Sequence, residues 1–222
     1  MRVLFPLLLL AVNLLASVIN IGTVTITIPQ HKELIALDLK SKQFSLLEST
    51  TPNTNRLLYC IGLPKELEKA NKGEVVDLSR YMLIQTLRQT EHTAISPSQF
   101  KELSNTMIME INAGMEKIDF NEFGNAIESN LEQQQGINSE IEFGKPKLVD
   151  VPEYKDNQVV FTMIMKLKLN DAKRTLVCCA SSFIVRSKLV YLYTYSIYKD
   201  SNDIEWVNET NNTFVKKLRE VN

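Results

Sequence analysis

A chain of 222 residues with 44% hydrophobic content can build one domain with a substantial core and does not require a second. The net charge is -1, and there is no basic block and no basic helix with interleaved aromatics, so nucleic acid is excluded as an expected partner. Only 7 Gly occur and no two form G-x-G, which excludes the glycine-built phosphate cradles; no cofactor is implied.

Residues 1–22, MRVLFPLLLLAVNLLASVINIG, open with a single Arg2, run apolar from Val3 through Ala16, and carry small residues at Ala16, Ser17 and Gly22. This layout predicts a secretory signal peptide, cut after Ala16 or after Gly22, and hence an exported protein, periplasmic or extracellular. The competing reading is an uncleaved anchor, which would be the chain's one membrane contact; Pro6, Asn13 and Asn20 weigh against it. Residues 23–222 are then a single α+β domain.

Thr23–Ile28 alternates as a strand and is closed by Pro29. Leu34–Leu39 fits a strand or a helical turn. Arg56–Gly62 is a short apolar strand before Pro64, and Ser49–Asn55 ahead of it is a loop. From Asp77 to about Thr90 the spacing of Leu78, Tyr81, Met82, Ile84 and Leu87 predicts a helix. A second helix is announced by Ser96-Pro97-Ser98-Gln99, with an N-cap Ser, Pro at the first helical position and a capping-box Gln. Its stripe is Phe100, Leu103, Met107 and Ile111. Asp119–Glu122 opens a third helix with Phe123, Ile127 and Leu131 inward, ended by the polar Glu132–Gly136. Glu140–Pro152 returns to strand, and Tyr154–Asn157 is a turn.

Gln158–Lys199 holds three period-two runs, QVVFTMIMKLKL, RTLVCCASSFIV and LVYLYTYSIYK, which predict a three-stranded antiparallel meander. With two-residue hairpins at Asp171–Ala172 and Ser187–Lys188, Phe161, Met163, Met165 and Leu167 share a face with Leu176, Cys178, Ala180 and Ser182, and with Tyr191, Tyr193, Tyr195 and Ile197. The opposite face carries Val160, Ile164, Val177, Cys179, Phe183, Val190 and Leu192. Two apolar faces require two covers. The fold expected is therefore α+β, an antiparallel β-sheet with a C-terminal three-stranded meander packed between helical layers, an α/β/α sandwich. A final helix capped by Ser201 or Asn202 buries Ile204, Val207, Phe214 and Leu218.

Three cysteines allow at most one disulfide within an exported chain. Adjacent strand residues point to opposite faces, so Cys60 can pair with Cys178 or with Cys179; buried, unbonded thiols are the other reading. His31 and His92 have no second ligand at helical or hairpin spacing, so no metal site is expected, and His92 beside Glu91 reads as a solvated helix cap. Met163, Met165, Tyr191, Tyr193 and Tyr195 are the candidate floor of an apolar pocket, against the plainer reading that a helix covers them. Glu140, Glu142, Asp150 and Glu153 are the carboxylates a hydrolase could use, against a solvated strand face. No residue is assigned a catalytic role. Asn208-Glu-Thr210 and Asn211-Asn-Thr213 are sequons that matter only in a eukaryotic secretory route.

The strand ending in Ile28-Pro29, the closing meander, the Asp203-Ile-Glu-Trp206 helix start and the terminal Asn222 together resemble the PsbP-like superfamily, which includes periplasmic proteins of the DcrB type. The resemblance implies an antiparallel sheet between helical layers and roles in binding or assembly, with no shared catalytic residues to carry across. The function expected is that of an exported, non-catalytic protein binding a protein partner or a small ligand. The alternative is a secreted or envelope hydrolase.

Overall fold

Period-two alternation, capping residues and turn chemistry account for most of the elements in the computed structural model, which describes residues 17–114 and 120–222. The expected leader up to Ala16 and the capping Asp119 lie outside the described residues. In chain order the elements are β1 (Ser17–Ile21), β2 (Val24–Ile28), β3 (Ile35–Ala36), α1 (Lys42–Ser49), β4 (Asn55–Gly62), α2 (Pro64–Asn71) and β5 (Arg80–Leu87). After a short 3-10 turn at Arg88–Thr90 come α3 (Pro97–Gly114), α4 (Phe120–Gln135), β6 (Ile141–Phe143), β7 (Lys147–Leu148) and β8 (Glu153–Lys155). β9 (Gln158–Leu169), β10 (Ala172–Val185), β11 (Lys188–Ile197) and α5 (Ser201–Glu220) complete the chain.

The large sheet runs β3-β4-β5-β11-β10-β9-β6, with β7 and β8 also paired to β9, and its pairings are antiparallel. β1 and β2 form a separate hairpin. The sheet lies between two layers, as two apolar faces require. α5 and the β1–β2 hairpin cover one face, where Ile19, Ile21, Ile26 and Ile28 meet Met82, Ile84, Phe183, Leu192, Phe214 and Leu218. α1, α2, α3 and α4 lie over the other, through clusters around Phe44 and Leu67, around Phe100, and around Ile127 and Leu131. The α/β/α sandwich with a C-terminal meander is therefore what the chain forms.

Both hairpins of the meander turn one residue earlier than expected, at Asn170–Asp171 and at Arg186–Ser187. Each register consequently slips by two residues, and an even slip leaves every side chain on its expected face. Thus Met163, Cys178 and Tyr195 form one row, and Phe161, Ala180 and Tyr193 the next. The turns sit where left-handed backbone is tolerated or enforced: Asn170 has φ 51°, and Arg186 and Ser187 have φ 48° and 63°. Arg186 is held there by its guanidinium, which donates to the Thr25 carbonyl at 2.7 Å. Lys188 is unsuited to the turn because it is buried, donating to the carbonyls of Glu91 and Thr93 at 2.7 and 3.1 Å.

Four further differences have physical causes. The segment expected as a helix from Asp77 to Thr90 is strand β5 in the middle of the sheet, where burial on both faces makes Tyr81–Ile84 a continuous apolar run that also satisfies helical spacing. α1 and α2 went unpredicted because each is 8 residues long and buries few side chains; Pro64, read as a strand stop, is the first residue of α2. α5 is capped by Asp200, one residue before the expected start, in a capping box with Asp203. Ser17–Ile21, read as part of a 1–22 leader, is a strand with Ile19 and Ile21 in the core.

The capping box at Ser96 is present as expected: the Gln99 N–H donates to Ser96 Oγ at 3.2 Å and the Ser96 N–H to Gln99 Oε1 at 2.9 Å. α4 ends at Gln135, with Gly136 in the left-handed region at φ 65°. No described helix is long and apolar enough to cross a membrane.

Candidate functional site

A strand with an aromatic residue at every second position stacks those rings along one face. In β11 this brings Tyr191 to 6.4 Å from Tyr193, and Tyr193 to 6.3 Å from Tyr195, between ring centroids. Tyr81 extends the ladder from β5, stacking on Tyr195 at 4.9 Å. On β9, Phe161 and Met163 stand opposite the small Ala180 and Cys178 of β10, and Met165 stands opposite Leu176. All five expected pocket residues therefore share one face. Tyr81 falls outside the expected set because its segment, apolar on both faces, also satisfies helical spacing, and only its pairing with Tyr195 places it on this face.

The burial is uneven. The small β10 row is sealed, whereas Met163, Met165, Tyr81 and all three β11 tyrosines remain half-buried. α3 reaches this face at the Tyr191 end, where Met107 Sδ lies 3.4 Å from Ser182 Oγ and Phe100 packs near Tyr154. α1 and α2 approach from the β4 side, with Tyr193 and Tyr195 at the margin of their cluster. Burial pushes the Tyr191 phenol up to about 12 and also raises those of Tyr81, Tyr193 and Tyr195 well above the usual range. These groups are neutral at any physiological pH. The floor can offer apolar area, aromatic faces and uncharged hydroxyls, but not an acid–base pair.

The thiols are equally unreactive. Burial pushes Cys179 up to about 12 and also raises Cys60 and Cys178 well above the usual thiol range, so none supplies a thiolate. The expected disulfide between Cys60 and Cys178 or Cys179 is not formed, and all three are free and buried. Strand order gives the reason: β5 and β11 separate β4 from β10. Three inter-strand steps amount to ~14 Å, against the ~7 Å limit between Cα atoms of a bridged pair.

The candidate carboxylates stand in solvent. Lys168 Nζ pairs with Glu142 at 2.6 Å and with Glu140 at 3.5 Å, and those acid side chains are 56% and 65% exposed. The hydrogen bond from Lys168 holds the Glu142 carboxyl below its usual range, the opposite of what a general acid needs. Asp150, ahead of β8, and Glu153, its first residue, are exposed. His31 Nδ1 accepts from the Glu33 and Leu34 N–H groups, each at 3.1 Å, and closes a turn. His92 follows the 3-10 turn and caps no α-helix. Among the described residues no group of three or more His, Cys, Asp or Glu is placed to hold a metal.

Two other features are structural joints. At the start of α5, a cleft of about 420 Å³ is lined by Ser79, Arg80, Lys199 and Asp203. There Arg80 bonds Asp203 at 2.9 Å and lies 4.7 Å over the Trp206 ring, so its charge is engaged within the fold. Asn211, in the second sequon, is fully buried: it accepts from Ser181 Oγ at 2.5 Å and donates to the Cys179 carbonyl and Thr194 Oγ1 at 3.1 and 3.0 Å. A side chain so placed is closed to glycosylation in the folded protein. Asn208, in the first sequon, accepts from Thr162 Oγ1 at 2.6 Å.

Comparison with protein-family models, with curated proteins and with solved structures finds no match for this chain. Its function must therefore be argued from the tyrosine and methionine floor.

Proposed function

We propose that this chain is an exported, non-catalytic binding protein that takes a small apolar or amphipathic ligand on the face formed by Met163, Met165, Tyr191, Tyr193, Tyr195 and Tyr81. The observation that carries the reading is the half-buried state of these six side chains on one face of the sheet. A core row is ordinarily sealed, and large apolar and aromatic side chains left partly open on one sheet face are what small-ligand sites are made of. Methionine adapts to irregular ligand shapes, and tyrosine adds a neutral hydroxyl to an apolar ring. Export rests on the apolar N-terminal segment, and a binding role agrees with the resemblance to PsbP-like proteins.

The experiment is a titration of the purified protein with a dansyl-labelled medium-chain fatty acid as probe, read by the blue shift of the dansyl emission. The expected result is saturable binding that weakens at least tenfold in Tyr193→Ser and in Met163→Glu, each checked for native circular dichroism. If the folded wild-type protein gives no saturable signal, or both variants bind as well as wild type, the assignment of this face is wrong.

A further inference from the structure

The N-terminal segment offers two places where a leader peptidase finds small residues, after Ala16 and after Gly22, and the sequence leaves them equal. The fold separates them. β1 pairs with β2 over its whole length, from Ser17 opposite Ile28 to Ile21 opposite Val24. Ile21 and Ile26 are completely buried, and Ile19 and Ile28 nearly so, in the same core as Phe183, Phe214 and Leu218.

The turn of this hairpin is also built into the body. Gly22 adopts φ 57°, and a Cβ placed on it would stand 2.5 Å from the Glu91 carbonyl oxygen. That carbonyl accepts from Lys188 Nζ, and the Glu91 carboxylate holds Arg56 at 2.7 Å. Arg56 in turn donates to the Asn20 carbonyl at 2.8 Å. The Gly22–Thr23 bond is therefore inside a seated turn between two core strands, and cutting it would detach Ile19 and Ile21 from the core. The conditions reverse at the other end, where Ser17 is the last paired residue of the hairpin and Val18 beside it is 55% exposed.

We infer that the leader is removed at the Ala16–Ser17 bond and that β1 remains in the mature protein as a core strand. This rests on the export reading above. The step is peptide hydrolysis by a leader peptidase: water adds across the amide, Ala16 departs as the new carboxylate terminus of the leader, and Ser17 becomes the α-amino terminus.

The test expresses the full chain in a secretion-competent host, separates cytosolic, membrane and exported fractions, and determines the intact mass and N-terminal sequence of the product in each. Exported protein beginning at Ser17 is expected, with full-length precursor accumulating in Ala16→Arg. An exported, folded product beginning at Thr23, an exported or membrane-bound full-length chain from the wild-type sequence, or unchanged processing of Ala16→Arg would each overturn the inference. Retention of all the protein, uncleaved, in the cytosol would instead overturn the export reading itself, and this inference with it. Ligand binding by the tyrosine floor is scored separately.

Discussion

Asp203 shows how one residue can be read correctly in type and incompletely in role. As an acidic residue in the first turn of α5 it suits the helix dipole, which was legible from spacing alone. Only the fold brings Arg80, 123 residues away in the chain, to its Oδ1 at 2.9 Å, beside Ser196 Oγ at 2.9 Å and with the Lys199 N–H on its Oδ2 at 2.9 Å. Burial opposes ionisation of this carboxyl, but these donors outweigh it and hold it below the usual range. A carboxyl with a depressed folded pKa stabilises the protein above its unfolded value of about 3.9, and that contribution is lost as pH falls through the folded value. Asp203→Asn is thus expected to lose about 1–3 kcal/mol at pH 7, the size of charge-assisted hydrogen bonds to a partly exposed partner. The gap from wild type should narrow at pH 3 in urea unfolding. A gap that stays constant between the two pH values would remove Asp203 ionisation as its source.

At the scale of elements, short-range rules succeeded where the element makes its own signal. The reciprocal Ser96–Gln99 bonds are decided within a few residues and were readable, whereas Glu132–Gln135, expected to end the third helix, form the last turn of α4 ahead of the left-handed Gly136. β5 was not readable, because a run apolar on both faces satisfies two periodicities at once, and only the neighbouring strands β4 and β11 choose between them. The β1–β2 turn gives the sharpest local test. Gly22→Ala is expected to cost about 2–4 kcal/mol, since it adds left-handed strain to a contact with backbone. Gly73→Ala, at φ 97° with no atom within 4 Å of the added Cβ, should cost only about 1 kcal/mol of strain. Thermal or urea unfolding of the two variants measures the difference; equal losses would mean that the seating of the turn on Glu91 contributes nothing.

For the whole molecule, the strand order has a consequence for redox behaviour. With Cys60 held several strands away from Cys178 and Cys179, no thiol has a partner to bridge, and all three are sealed in the core. The protein is expected to unfold at the same temperature with and without reductant. Iodoacetamide should add no label to the native protein and three labels once it is unfolded, by intact mass. A reductant-dependent shift in unfolding temperature would contradict this strand order. The sequence by itself determined what depends on periodicity and neighbours: the meander, the shared face of Met163, Met165, Tyr191, Tyr193 and Tyr195, the need for two covering layers, and the helix start at Ser96. That shared face survived an incorrect hairpin register because strand side chains alternate with period two. Only the tertiary structure decided which strands lie side by side. It thereby decided that Tyr81 joins the ladder, that Cys60 cannot reach Cys178, that Ile19 and Ile21 belong to the core, and that Arg80 meets Asp203. These are contacts between residues far apart in the chain, and local spacing holds no record of them.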